Sequence, residues 1–370
     1  MKRAIALFAL AACTTGPRRQ KCRLAEESVV ATSGDARLGA LAMQTSRDGK
    51  NALVAWSDRG GLREAIVDVA SGRAGPAALV LEGGATALAL ATDGAGWRLA
   101  AVLPEDEKGG GGGAVLLSLA PDGALLARED LGSAGVQSGD VALVRGPTGW
   151  VVAWHDGAPG EYAVRVWHAG TSIAVPADPG HAPMSPSLAV DENGVAIAWA
   201  DVTSTDVGLA TRIRLARVSR EGTLSAPWDI GLATIDGADP VLVSEGGHLR
   251  VLYRDEEDGD GKSEYYVSDA RVGATPLRVS RANGRRSPSV VSCHHTLAAA
   301  AVRTYQGELL VGFNRFDSLA QKRGGELQIY SDGVHFGEAS LACLPVGYAI
   351  AYAEEGEHSR VLFNRTACSD

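Results

Sequence analysis

A short motif recurs along this chain: an apolar run ends in an aromatic residue, which is followed by one spacer and then an acid. The five complete copies are Trp56-Ser57-Asp58, Trp154-His155-Asp156, Trp199-Ala200-Asp201, Tyr253-Arg254-Asp255 and Tyr352-Ala353-Glu354. Two weaker copies, centred on Val102 and Val302, fill the gaps and leave intervals of 46, 52, 45, 54, 49 and 50 residues. Such a regular spacing is typical of supersecondary units that bury a core by packing against their neighbours.

Each repeat has the pattern of four short strands, which we call A to D. In the clearest copy, residues 187–190 and 195–199 are apolar, residues 212–218 alternate between charged and aliphatic side chains, and a more polar segment begins at residue 223. The apolar strands A and B are predicted to be buried on both faces, whereas C and D each have a wetter face. A sheet with dry inner strands and wet outer strands is what one blade of a β-propeller requires.

The number of blades follows from the number of A–B pairs. Seven pairs lie near residues 38–57, 86–103, 140–155, 186–200, 239–254, 287–303 and 337–353. In six of them a glycine precedes the aromatic position where the tight A–B turn needs a left-handed backbone, namely Gly49, Gly96, Gly149, Gly194, Gly247 and Gly347. The remaining pair has His294-His295-Thr296 there. The sequence therefore predicts an all-β fold, a seven-bladed β-propeller of four-stranded antiparallel blades.

The two ends of the chain predict how the ring closes. The last repeat lacks a strand D, and residues 27–32 form a strand-like segment with no A–B pair before it. This N-terminal strand is expected to complete the last blade and so remove unpaired edges. Cys22 and Cys368 then lie side by side, while Cys293 and Cys343 lie one repeat apart in neighbouring blades. Cys22–Cys368 and Cys293–Cys343 are thus the favoured disulfides among the three connectivities of four cysteines.

The N-terminus has the pattern of an export signal. Lys2 and Arg3 precede an apolar segment at residues 4–10, and Leu10-Ala11-Ala12-Cys13 resembles a bacterial lipobox, in which the signal is cut before a cysteine that receives lipid. The chain has five cysteines, and lipidation of Cys13 leaves an even set for disulfides. We predict a signal peptide at residues 1–12, a lipid-attachment cysteine and tether at 13–21, and the propeller at 22–370. Ordinary cleavage without lipid is the alternative.

The bulk charge bears on partners and location. The net charge is −9, and removal of the signal with its two basic residues makes it −11, which argues against binding to nucleic-acid phosphates. No run of 18 apolar residues predicts a transmembrane helix, so membrane contact is expected through the lipid alone. The predicted location is the bacterial cell envelope, as an outer-membrane or surface lipoprotein.

The acids of the recurring motif are the first candidate site. The B–C connections of a propeller emerge on one face, so the motif predicts a partial ring of carboxylates there, formed by Asp58, Asp156, Asp201, Asp255 and Glu354. One hypothesis is a face for a cation or a polar ligand, since clustered oxygens suit hard cations. The other is that each acid accepts backbone N–H groups where a strand ends. Repetition in five blades favours the second, and the aromatic residue is expected to pack between blades.

The sequence contains two patterns of candidate metal ligands. Glu256, Asp258, Asp260 and Glu264 alternate as in a calcium loop, yet Glu264 follows Gly261 too closely for an EF-hand, which favours a solvated acidic loop. Cys293, His294 and His295 are only three zinc-type ligands, and neighbours on a strand point to opposite faces. The expectation is therefore no cofactor, with calcium as the only candidate.

The repeat length and hairpin turns resemble those of secreted bacterial β-propellers, including the sialidase-like superfold, over nearly the whole mature chain. The sialidase Asp-box, Ser-x-Asp-x-Gly-x-x-Trp, is absent, and residues 92–97 echo it only loosely. No arginine trio or tyrosine nucleophile of that superfold can be assigned, and neither WD dipeptides nor paired kelch glycines recur. The resemblance therefore implies the fold without a catalytic set.

The expected function is non-catalytic: a binding or scaffold protein for a protein or glycan partner of the envelope. Its expected contact surface is the face with the B–C and D–A connections, because the longest insertions fall there, at residues 105–113, 201–208 and 255–264. The alternative is a glycan-active hydrolase or lyase that uses acids at the channel mouth as acid and base.

Overall fold

A computed structural model of the chain describes 17 stretches of it. They are residues 22–34, 37–103, 112–133, 135, 139–157, 162–206, 208–233, 239–255, 264–281, 283–284, 288–293, 295–305, 308–317, 321, 323, 326–330 and 335–368. The regular structure in these stretches is β-strand throughout. Within them, no helix of a length and hydropathy suited to crossing a membrane occurs.

The strands follow one another in the predicted order of four per blade. The N-terminal segment has β1 (Cys22–Leu24) and β2 (Ser28–Thr32). Blade 1 has β3 (Leu41–Thr45), β4 (Asn51–Asp58), β5 (Gly61–Asp68) and β6 (Ala78–Leu81). Blade 2 has β7 (Ala87–Thr92), β8 (Trp97–Leu103), β9 (Gly113–Leu119) and β10 (Leu125–Ser133). Blade 3 has β11 (Gly139–Gly146), β12 (Gly149–Asp156), β13 (Ala163–His168) and β14 (Thr171–Ala174). Blade 4 has β15 (His181–Asp191), β16 (Gly194–Thr205), β17 (Gly208–Val218) and β18 (Trp228–Ala233).

The remaining blades contain two strands that are split. Blade 5 has β19 (Val241–Glu245), β20 (His248–Asp255), β21 (Glu264–Asp269) and β22 (Leu277–Arg281). Blade 6 has an inner strand in two pieces, β23 (Asn283–Gly284) and β24 (Ser289–Cys293), followed by β25 (Thr296–Tyr305), β26 (Glu308–Phe316) and β27 (Leu327–Ile329). Blade 7 has β28 (His335–Cys343), β29 (Tyr348–Glu355) and β30 (Arg360–Cys368), and β1 and β2 both pair with β30 as its outer strand.

These seven antiparallel sheets form the predicted β-propeller. Each sheet runs A-B-C-D from its inner to its outer strand, and residues of all seven A strands line a central cavity of about 750 Å³. We call the side with the B–C and D–A connections the upper face, and the side with the A–B and C–D turns the lower face. The prediction of seven four-stranded blades, with an N-terminal strand completing the last one, is confirmed.

The blades are held together by seven apolar clusters, one for each pair of neighbouring blades. The aromatic residue of the motif lies in the cluster that its blade shares with the preceding blade and is at most 1% exposed. Trp56 of blade 1, for example, packs with Phe363 and Leu344 of blade 7, which closes the circle. The prediction of interblade packing is confirmed, because a large buried ring fills the wedge between two twisted sheets.

Ring closure uses the strands, a side-chain contact and a disulfide together. Cys22 pairs with Cys368 in the ladder, and the two form one disulfide with Cα atoms 4.0 Å apart. Cys293–Cys343 forms the second, with Cα atoms 6.1 Å apart. Between β1 and β2, the carboxylate of Glu27 accepts a hydrogen bond from the Tyr352 hydroxyl of strand B. The N-terminal segment is therefore joined to its blade by three kinds of contact: the strand ladder, a side-chain hydrogen bond and a disulfide.

The A–B turns mostly use the predicted glycines. Five of the six have a positive φ, from 68° at Gly49 to 142° at Gly149. Blade 2 differs, since Gly94 takes the positive φ, 90°, and Gly96 does not. A Cβ at Gly96 would overlap the carbonyl oxygen of Leu119, so this glycine is needed for a close approach of strand C instead. In blade 6 the position falls to His295, whose φ is 56°.

Blade 4 corrects the prediction of a loop insertion at residues 201–208. Strands β16 and β17 continue past the ring and pair from Asp201–Arg212 to Thr205–Gly208. Val202, Thr203 and Thr205 are β-branched and favour strands, and β15 begins early enough to pair with this segment at His181. A three-stranded extension, not a loop, therefore projects from the upper face.

Candidate functional site

The acids of the motif lie at the upper ends of the B strands, and most of them bind an arginine of strand C in their own blade. The Nε-to-carboxylate distances are 2.9 Å for Arg63–Asp58, 2.6 Å for Arg165–Asp156 and 3.0 Å for Arg360–Glu354. Asp58 and Asp156 also accept backbone N–H groups, from Gly60 at 2.8 Å and Gly135 at 3.0 Å. These contacts give the carboxylates a structural use within each blade.

The cross-strand register explains the recurring pair of acid and arginine. The arginine stands opposite the motif's tryptophan in three blades, as Trp56–Arg63, Trp154–Arg165 and Trp199–Arg214. Because side chains alternate along a strand, the acid two positions after the tryptophan shares its face and meets that arginine diagonally. The acid of the motif is thus one partner of an ion pair, and the other partner is an arginine on strand C.

The five carboxylates do not gather into one metal site. Among the described residues, the one group of three close metal-ligating side chains contains Asp201 but none of the other four. Asp255 ends its strand opposite Glu264 in the ladder. Glu264 itself is 6% exposed and lies 3.1 Å from Arg278 Nη1. The other members of the candidate calcium loop, Glu256, Asp258 and Asp260, lie outside the described residues, as do Cys13 and His294.

Asp201 is the centre of an ion-pair network at the base of the blade 4 extension. It is fully buried, and its Oδ2 lies 2.8 Å from Arg212 Nη2, 3.3 Å from Arg214 Nη1 and 3.1 Å from His181 Nδ1. Both arginines also contact Asp178, and their hydrogen bonds and charge lower the pKa of that carboxyl.

The same ion-pair network determines whether a metal ion could bind to these side chains. Asp178, His181 and Asp201 have ligand atoms within 4.8 Å of one another. However, the guanidinium groups of Arg212 and Arg214 already occupy the space beside these oxygens and balance their charge. The donor set therefore does not fit a metal ion, and the network stabilises the projecting strands.

A second polar cluster lies at the upper mouth of the channel, where three consecutive blades meet. Ser185 Oγ donates to Asp140 Oδ2 at 3.0 Å and lies 3.4 Å from Asp239 Oδ1. Arg254 Nη2 lies 3.1 Å from Asp239 Oδ2. All four line the central cavity, and we call them the mouth cluster. Two carboxylates thus share one hydroxyl in a pocket that is open to solvent.

The backbone of the mouth cluster explains how these side chains meet. Asp140 and Ser185 have φ values of 41° and 50°, although neither is glycine. Each lies in an irregularity of its A strand, between Gly139 and Val141 in blade 3 and between Met184 and Ser187 in blade 4. A bulge inserts a residue and redirects its side chain, here towards the channel mouth. Non-glycine residues in this region cost about 1–3 kcal/mol and are concentrated at functional sites.

Electrostatics in the cluster differ from those of the strand-end acids. Burial raises the pKa of Asp239; Arg254 opposes this shift and the charge of Asp140 adds to it. Nearby, His155 is 4% exposed and its Nε2 has no hydrogen-bond partner. Burial lowers the pKa of His155, and the charges of Asp140 and Asp156 partly offset this. The mouth thus combines an exposed carboxylate, a half-buried carboxylate and a hydroxyl.

Comparison of the sequence with models of known protein families, and with proteins of curated function, finds no match.

Sequence reasoning missed Asp140, Ser185 and Asp239, although a signal was present. These residues lie at the upper part of their A strands or just before them, and Ser185-Pro186 and Asp239-Pro240 repeat a polar residue followed by proline at that level. The motif at the ends of the B strands is more regular than this dipeptide. Four of its acids, Asp58, Asp156, Asp201 and Glu354, pair with arginines of their own blades, whereas the acids of the mouth cluster face the channel.

Proposed function

We propose that the protein is an exported, lipid-anchored β-propeller that binds a protein or glycan partner of the cell envelope on its upper face without transforming it. The observation that carries this proposal is the mouth cluster, in which Asp140, Ser185, Asp239 and Arg254 present donors and acceptors beside a cavity of about 750 Å³. Polar groups that converge beside a concave opening are the usual means of orienting a ligand. The projecting strands of blade 4 stand next to this opening and widen the contact surface.

Export is supported by the two disulfides, because disulfides persist in oxidising compartments outside the cytoplasm. The lipid anchor is supported by the sequence at Cys13 and by the odd number of cysteines. After the four disulfide cysteines are assigned, Cys13 is the one that remains.

Lipidation of Cys13 has a direct test. The Cys13→Ala variant is expected to lose all incorporation of a labelled fatty acid during growth, because the thiol is the acceptor. Labelling is compared with that of Cys293→Ala/Cys343→Ala, which removes a cysteine pair but keeps Cys13. Undiminished labelling of Cys13→Ala would refute the anchor.

The binding role is tested at the mouth cluster. The Asp140→Asn/Asp239→Asn variant keeps the shape of both side chains and removes two charges, so binding to a glycan or envelope protein is expected to weaken at least about tenfold, since hydrogen bonds to charged groups contribute about 1.5–3 kcal/mol each. Binding is measured on a glycan array and by capture from solubilised envelopes. The control is Glu82→Gln/Glu129→Gln, which removes two exposed charges outside the mouth cluster and the blade 4 extension. If the mouth variant binds as strongly as the control variant, the ligand site does not lie at the mouth.

The alternative, a glycan-active hydrolase, has one observation in its favour. The oxygens of Asp140 and Asp239 contact the same hydroxyl, at 3.0 Å and 3.4 Å, which brings two carboxylates into one pocket as the acid and base of glycosidases are. Burial raises the pKa of Asp239, as a general acid requires. Release of reducing sugar from envelope polysaccharide by the wild type, lost in Asp239→Asn, would establish this alternative and displace the non-catalytic role.

A further inference from the structure

Two arginines flank the lower mouth of the channel. Arg47 lies in the A–B turn of blade 1 and Arg145 near the lower end of β11 in blade 3; both are exposed and both line a cavity of about 650 Å³. Arg145 Nη1 lies 3.5 Å from the carbonyl oxygen of Asp93, and Arg47 Cδ lies beside Gly94. The two arginine side chains thus approach the same turn of blade 2 from the neighbouring blades on either side. Neither has an acidic partner within the part of the chain that the structure describes.

The charges at the two ends of the channel are opposite in sign. The lower cavity has these two arginines and one carboxylate, Asp93, whose Oδ1 accepts the backbone N–H of Ala95 at 2.9 Å. The charged groups that line the central cavity, which opens at the upper mouth, are three carboxylates and the single guanidinium of Arg254. In a chain of net charge −9, an anion is therefore attracted to the lower mouth and repelled from the upper one.

Apolar side chains project from the same lower face. Val346 and Val272 are 74% and 70% exposed, the highest values among the large apolar residues whose burial the structure describes. Val346 lies in the A–B turn of blade 7 and Val272 in the C–D turn of blade 5. The side chains of Lys50 and Arg271, on the same face, are 79% and 73% exposed, and each lies beside an acid, at 3.6 Å from Asp48 and 3.5 Å from Asp269. Exposed apolar tips beside charged side chains are a feature of surfaces that rest on a membrane, and the attraction to anionic lipid is therefore assigned to Arg47 and Arg145.

The path of the chain brings this face to a membrane anchor. Cys22 pairs with Cys368, the last residue of β30, and β30 runs from the upper face to the lower one. The segment before Cys22 therefore joins the ring at the lower rim of blade 7. A lipid on Cys13 is nine residues away, so this step rests on the proposed anchor.

We propose that the lower face lies against an anionic phospholipid surface, and that Arg47 and Arg145 bind a headgroup phosphate at the lower mouth of the channel. Guanidinium groups suit phosphate because their N–H groups form a planar fork that matches its oxygens. The upper face, with the mouth cluster, then points away from the membrane towards partners.

The test uses the full chain with Cys13→Ser, so that no lipid contributes to binding. Sedimentation with vesicles of phosphatidylethanolamine and phosphatidylglycerol is compared with sedimentation on phosphatidylcholine vesicles. Arg47→Ala/Arg145→Ala is expected to bind the anionic vesicles about 30-fold more weakly, which corresponds to about 1 kcal/mol for each basic residue near the surface. The matched control, Arg59→Ala/Arg128→Ala, removes the same charge from the upper face and the outer rim and is expected to bind like the parent. Any membrane affinity of the N-terminal segment is common to all these chains.

The outcomes separate the sources of phosphate and the two proposals. Retained binding by Arg47→Lys/Arg145→Lys, with loss in the alanine variant, supports contact through charge. Equal loss in the matched control, or less than a twofold loss in the alanine variant, overturns the proposal. Titration with inorganic phosphate that depends on both arginines, without preference for anionic vesicles, assigns the mouth to a soluble anion and also overturns it. The fatty-acid labelling of Cys13→Ala tests the anchor alone, because no chain in the vesicle test carries a lipid. The anchor and the lower-face contact can therefore fail independently.

Discussion

Replacing both cysteines of the ring-closing disulfide, in the variant Cys22→Ala/Cys368→Ala, is expected to lower the free energy of unfolding by about 5.5 kcal/mol. The two residues are 346 positions apart, so the bond removes much of the freedom of the unfolded chain. In the chain-entropy account this stabilisation grows with the logarithm of loop length and exceeds the value of about 4.7 kcal/mol for a 100-residue loop. The variant keeps the ladders of β1 and β2, the Glu27 contact and the apolar packing between blades 1 and 7 to close the ring.

The chain offers a matched control in its other disulfide. Cys293→Ala/Cys343→Ala opens a loop of 50 residues and is expected to cost about 4 kcal/mol, roughly 1.5 kcal/mol less. Both losses are measured by guanidinium-induced unfolding at neutral pH, in comparison with the wild type. If the ring-closing variant loses less than the control, loop length does not govern closure, and the apolar packing around Trp56 and Val30 holds the ends instead.

Replacing Glu64 by glutamine is expected to stabilise the protein by about 3 kcal/mol above pH 7 and to change little below pH 4.5. Glu64 lies in β5, is 3% exposed, and its Oε2 has no hydrogen-bond partner. The turn of blade 2 covers it so closely that a Cβ at Gly123 would overlap the carboxylate. Burial, with a smaller contribution from the charge of Asp122, raises its pKa from 4.5 to about 7.

The sign follows from the two protonation states. Below pH 4.5 the carboxyl is protonated in both the folded and the unfolded chain, and the folded protein bears no desolvated charge. As the pH rises to 7, the unfolded chain loses its proton first, and folding is weakened by about 1.4 kcal/mol for each unit by which the pKa is raised. The stabilising contribution of the protonated form is therefore fully present at low pH and lost as pH rises through the folded-state pKa.

The measurement is urea unfolding of the wild type and Glu64→Gln at several values between pH 4 and pH 8. The difference between them is expected to open over this interval and to level off above pH 7. Glu82→Gln, at an exposed position of the same blade, serves as the control and is expected to differ little from the wild type throughout. A constant difference between the wild type and Glu64→Gln at all pH values would mean that Glu64 does not titrate in this range.

The fold was predictable to an unusual degree because its information is local and repeated. The A–B pairs gave the number of blades, and the missing last strand gave the mode of closure. The disulfides followed from that closure, because Cys22 and Cys368 become neighbours only if the first strand lies beside the last one. Details that depend on contacts between strands were wrong, such as Gly96 in the turn of blade 2 and the loop predicted at residues 201–208.

The candidate site was much less predictable. The motif pointed to acids such as Asp58 and Asp156, because their spacing is regular. Their arginine partners lie on another strand, at positions that only the ladder register identifies. Conversely, Asp140 and Asp239 belong to different blades and meet through a serine of a third.

The sequence by itself determined a ring of seven sheets, since each apolar strand pair recurs at nearly constant spacing and no other arrangement buries all the copies alike. Tertiary structure alone decided which polar groups face the channel and which satisfy one another inside a blade. The physical reason is that strand register and bulges fix the direction of a side chain, and both depend on partners distant in the chain. A one-residue change in register turns a side chain to the opposite face. A repeat spacing of about 50 residues carries no information about such a change.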